Sequence, residues 1–105
     1  MKEVYRIRHF GDCLEPLGIT DDTPLIGVRV TDWKDDDCNL LKYIGKVIGV
    51  KLANRTVGLM KILANYDVFS KELVLMQLNP KKAMRFCLSE IEDILVLEKD
   101  NEQAK

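Results

Sequence analysis

From Glu3 to Phe10 the side chains alternate, with Val4, Arg6 and Arg8 set against Tyr5, Ile7 and His9. That period of two is what a half-buried strand requires. Gly11-Asp12 breaks the run, and the stretch from Gly18 to Pro24 is dense in Gly, Thr, Asp and Pro, which predicts turns. Leu25 to Val30 reads as a second strand. Trp33-Lys34-Asp35-Asp36-Asp37 predicts a solvated acidic loop, or the acidic opening of a short helix through Asn39-Leu40-Leu41. Tyr43 to Leu52 combines β-branched residues with Gly45 and Gly49, a composition that favours strand over helix. Ala53-Asn54-Arg55 then connects it to Thr56 through Leu63 as a hairpin. Leu73 to Leu78 is a further apolar run, closed by Asn79-Pro80, and Arg85-Phe86-Cys87-Leu88 and Ile94-Leu95-Val96-Leu97 supply two more. Lys81 to Leu97 also reads as a single helix, because Lys, Ala, Met, Leu and Glu favour one. The strand reading gives about seven short strands with regular turn signals. It predicts a mostly-β sandwich or barrel with at most one or two short helices. The expected organisation is one domain over residues 1–97 and a polar tail over 98–105 that frays.

A chain of 105 residues fits one domain, and 47% hydrophobic with 31% charged residues describes a protein able to bury a core. Sixteen basic side chains against seventeen acidic ones leave a formal charge of -1, so no global field draws the chain to nucleic acid or anionic lipid. The three cysteines, Cys13, Cys38 and Cys87, are odd in number and widely spaced, with no leader-like segment before them. A reducing, cytoplasmic setting is therefore expected, with Cys38 a loop thiol and Cys87 a core residue. With no Cys-x-x-Cys pair and His9 as the one histidine, neither a metal nor another cofactor is expected. No apolar run approaches the roughly 20 residues of a membrane-spanning helix, so the Asn54-Arg55-Thr56 sequon reads as chance.

Two features carry candidate chemistry. At Gly11-Asp12-Cys13-Leu14-Glu15-Pro16 a strand runs into a sharp turn, which presents one nucleophilic atom beside main-chain N–H groups. In Val57-Gly58-Leu59-Met60-Lys61-Ile62-Leu63, alternation puts Lys61 on one face with Val57, Leu59 and Leu63. Either the ammonium snorkels outward from an edge strand or it is buried. Burial would lower its pKa from about 10.4 toward neutrality, and a neutral lysine can deprotonate a Ser or Cys without histidine. His9 is a poor alternative base for Cys13, since four extended residues span about 13 Å at ~3.3 Å each. Asp12 and Glu15 read either as groups orienting Lys61 or as local turn caps. Trp33 and Tyr43 read as a surface patch or as a satellite cluster under the acidic loop.

Together these motifs resemble the peptidase-like domain of LexA, UmuD and phage-type repressors, related in fold to signal peptidases. The family's Gly-Asp-Ser-Met-x-Pro is matched by Gly11-Asp12-Cys13-Leu14-Glu15-Pro16, followed by Thr20-Asp21-Asp22-Thr23-Pro24 and Leu25-Ile26-Gly27-Val28. Its lysine strand is matched by Met60-Lys61-Ile62-Leu63, and its Leu-x-Leu-x-Ser-x-Asn-Pro strand end by Leu73-Val74-Leu75-Met76-Gln77-Leu78-Asn79-Pro80. The resemblance spans Phe10 to Leu97. It implies a mostly-β fold, a Ser-Lys dyad carried over to Cys13 and Lys61, and an oxyanion hole from the main chain at Asp12 and Cys13. It further implies a homodimer in the regulatory portion of a transcriptional regulator, with a peptide segment as substrate if the dyad is active. No nucleic acid would be bound directly by this chain. Cysteine in place of serine departs from the pattern, and so does the absence of the Ala-Gly and Cys-Gly dipeptides at which family members cleave themselves. The alternative is a non-catalytic self-association module with a vestigial site.

Overall fold

The computed structural model describes residues 3–8, 14–19, 23–55 and 58–99. The protein is mostly β, as the alternation predicts. Its strands are β1 (Val4–Arg8), β2 (Pro24–Val30), β3 (Val47–Leu52), β4 (Leu59–Asp67), β5 (Glu72–Leu78), β6 (Lys81–Cys87) and β7 (Ile91–Lys99). They form one seven-stranded sheet in the order β1-β2-β7-β3-β4-β5-β6, with every neighbouring pair antiparallel. Among the described residues, helical structure is limited to the four-residue α1 (Asp32–Asp35), a 3-10 helix Asp37–Tyr43, and the 3-10 turns Glu15–Leu17 and Leu88–Glu90. The single-helix reading of Lys81 to Leu97 does not hold. Met84 and Phe86 alternate toward the apolar neighbours of β5, and a helix would scatter them around its circumference. β7 continues past Leu97, where Ile26 pairs with Glu98 and Leu25 with Lys99.

Both sheet faces are apolar, which is why most strands read as continuous hydrophobic runs. The larger core cluster joins Ile48, Val50, Leu63, Leu73, Leu75 and Ile94 of the strands to Trp33 and Leu40, so α1 and the 3-10 helix cover this face. Trp33 is thus part of the main core, and not of a satellite cluster or surface patch. Its indole N–H donates to the Val30 carbonyl at 2.9 Å, satisfying the one polar atom it buries. The second cluster, on the opposite face, centres on Leu14, Ile19, Leu25 and Leu97, with Ile7, Val47, Met60, Ile62 and Leu95 packed against it. The segment expected as one strand from Tyr43 begins later, at Val47, because Gly45 turns the chain with φ of 90° and Tyr43 completes the 3-10 helix. Leu40 and Tyr43, one turn apart, both reach the core from that helix.

Candidate functional site

Lys61 lies on β4, between β3 and β5, so it is an interior-strand lysine and not an edge one. It pairs with Ile48 across β3, which places its side chain on the larger core face with Leu59 and Leu63. The register Ile62↔Met76 sets Lys61 opposite Gln77, and the ammonium donates to Gln77 Oε1 at 2.9 Å. In the sequence Gln77 stands only as one residue of an apolar strand end. Its role as partner of Lys61 follows from the β4–β5 register. Asp12 and Cys13, the rest of the expected site, lie outside the described residues, as do His9 and Val57. Leu14, which follows Cys13, is fully buried in the second cluster, where Met60 and Ile62 pack against it. Those are the β4 side chains that alternate with Lys61. Glu15 is exposed at the start of the 3-10 turn.

A second constellation, which the sequence did not disclose, gathers at the β4–β5 hairpin. The Tyr66 hydroxyl and the Lys71 ammonium (2.7 Å) both donate to Asp37 Oδ2. These bonds, Lys71's above all, hold the Asp37 carboxyl below its ordinary range, while burial and the Asp37 charge push the Tyr66 phenol up. Cys38 is exposed, and the nearby Asp36 charge raises its thiol pKa, the opposite of an activated nucleophile. Asp36, Asp37 and Cys38 bring ligand atoms within 4.8 Å of one another. Asp37 is already engaged by Tyr66 and Lys71, and Asp36 Oδ1 accepts from the Cys38 N–H at 3.0 Å, so this trio is explained as a helix cap and an ion pair. At the tip of the same hairpin, Asp67 Oδ1 accepts from the N–H groups of Phe69 (2.9 Å) and Ser70 (3.3 Å), leaving the Phe69 ring 94% exposed.

A third feature is an open pocket of about 340 Å3 where β2 runs into α1. Arg29 donates through Nε to both oxygens of Asp93 at 2.9 Å and lies 3.5 Å from Glu3. Lys42 donates to Asp32 at 2.6 Å, and the Tyr43 hydroxyl donates to the same carboxylate. The pocket's charges thus neutralise one another within the protein. Cys87, expected in the core, is exposed on the outermost strand β6. Among the described residues no helix is long and apolar enough to cross a membrane.

Comparison with protein-family models, curated proteins and solved structures finds no match for this chain.

Proposed function

We propose that the chain is a non-catalytic self-association module, of the regulatory kind that the resemblance to LexA-type repressor domains suggests, and that β1 is its contact edge. The observation that carries this reading is the edge position of β1, whose outer side has no strand beside it among the described residues. Val4 and Tyr5 are 59% and 45% exposed there, beside main-chain groups that β2 pairs on one side only. An antiparallel pairing of two β1 strands about Tyr5 sets Tyr5 against its copy and Val4 against Arg6, so no like charges are opposed over Val4–Arg6 at the centre of the pairing. In the alternative, active-dyad reading Lys61 would serve Cys13, which lies outside the described residues, and among those described the ammonium donates to the neutral amide oxygen of Gln77.

Sedimentation velocity over a concentration series tests the module. Dimer is expected to grow with concentration, and Tyr5→Lys should weaken it about tenfold or more, roughly 1.4 kcal/mol. A chain that stays monomeric at its solubility limit refutes the proposal. The dyad is tested separately by the pH dependence of Cys13 alkylation, which should keep its midpoint in Lys61→Ala. A depressed midpoint that rises in the variant would restore the peptidase reading.

A further inference from the structure

The opposite edge of the sheet has different chemistry. β6 is a regular seven-residue strand, paired with β5 from Glu72↔Cys87 to Leu78↔Lys81 without a bulge. Its outer side has no strand beside it among the described residues. A row of main-chain donors and acceptors at such an edge is a template for another strand. Two observations narrow what can occupy it. First, Lys81, Lys82 and Arg85 are all exposed on this strand, and among the described residues the acidic side chain paired with them is Glu72, 3.3 Å from Arg85. Second, the core is unfinished here. Leu73 and Leu75 of β5 are fully buried, but Phe86 and Met84, which face them one strand further out, are only partly covered.

The cations oppose pairing with a second β6 edge, because two copies would bring both basic sets together. They favour a strand of opposite sign. We infer that the β6 edge binds an acidic, extended peptide by strand addition. The peptide main chain continues the sheet, its apolar side chains cover Met84 and Phe86 on one face, and its carboxylates meet Lys81 and Arg85 on the other. This is independent of self-association at β1, since a monomeric chain keeps the same free edge.

The probe is a blocked eight-residue peptide alternating Glu and Val, added to isotope-labelled protein and followed by amide chemical shift and hydrogen exchange. Shifts and slowed exchange are expected in Lys81–Cys87, and binding should weaken as salt rises. The double substitution Lys81→Glu, Arg85→Glu, both exposed and so compatible with the fold, should weaken binding about tenfold or more. The same peptide N-methylated at alternate amides keeps its charge but cannot pair with the edge, and it should not bind. Equal binding of the methylated peptide, or of a Lys-Val peptide, would reduce the effect to non-specific attraction and overturn the proposal. So would perturbation confined to other strands, or no perturbation at all. Concentration-dependent protection of β6 without peptide would assign the edge to a second copy and overturn it equally.

Discussion

Gly27 pairs with Tyr5 on one side and Leu97 on the other, and a Cβ there would lie 2.7 Å from Ile7 Cδ1, 3.0 Å from Leu97 Cδ2 and 3.2 Å from Leu95 Cδ1. Ile7 can rotate aside, but two leucine methyls close the remaining space. Gly27→Ala should therefore cost about 1–2 kcal/mol through overpacking. At Gly49 the nearest atoms to a Cβ are at 3.7 Å, ordinary contact, so Gly49→Ala should stabilise by about 0.5 kcal/mol by restricting the unfolded chain. Urea midpoints read both, and equal signs would contradict the difference in packing. The carboxylates give a pH signature. Asp37 is held low by Lys71 and then Tyr66, Asp32 by Lys42, and Asp67 by the Phe69 and Ser70 N–H groups. A carboxyl with a depressed folded pKa contributes stability that is present above its unfolded value, near ~3.9, and lost as pH falls through the folded value. The gap between wild type and Asp37→Asn should thus be widest near neutrality and shrink on acidification below about pH 4. A gap independent of pH would place the contribution of Asp37 outside its charge.

Within each element, burial sorts the residues that matter. Leu75 of β5 is fully buried between β4 and β6, and Leu75→Ala should cost about 2–5 kcal/mol. Leu41, 47% exposed on the 3-10 helix, should tolerate alanine within about 0.5 kcal/mol. Thermal or urea unfolding of the two variants checks the contrast. β5 was legible in the sequence because a short apolar run stopped by Asn79-Pro80 has few other readings. β6 was harder to read, since its good helix formers compete with an alternation that only Met84 and Phe86 carry. Propensity lost there to pairing with β5. Tyr43 to Lys46 misled for a local reason. The spacing of three between Leu40 and Tyr43 belongs to a 3-10 helix, and Gly45 marks a turn with positive φ, where strand composition was the stronger signal. Of the candidate site, Lys61 among aliphatics was legible from alternation alone. Its partner Gln77 was not, because a slip of one residue in the β4–β5 register would put a different side chain opposite. The Asp37–Tyr66–Lys71 cluster joins residues from the 3-10 helix and the far hairpin end, a juxtaposition no local pattern encodes.

For the molecule as a whole, the consequential fact is the place of β7, last in sequence yet seated between β2 and β3. β3, β4, β5 and β6 follow one another as a meander whose pairings close short loops. The β2–β7 pairing, by contrast, must close a loop that contains most of the chain, and loop-closure entropy rises with the length enclosed. This ordering predicts a folding transition state in which the β4–β5 part of the larger core is formed while β1 and β2, with the second cluster at Leu25 and Leu97, are still loose. Leu75→Ala should then mainly slow folding, whereas Leu25→Ala, equally buried but on β2, should mainly speed unfolding. Denaturant chevrons on the two variants separate these arms, since both substitutions remove enough buried surface to give a reliable ratio. The two clusters lie on opposite faces of one sheet, so an effect at one does not mechanically force an effect at the other. If Leu25→Ala slows folding and Leu75→Ala leaves the folding arm unchanged, the long-range β2–β7 pairing is the nucleus, and the meander assembles on it afterwards.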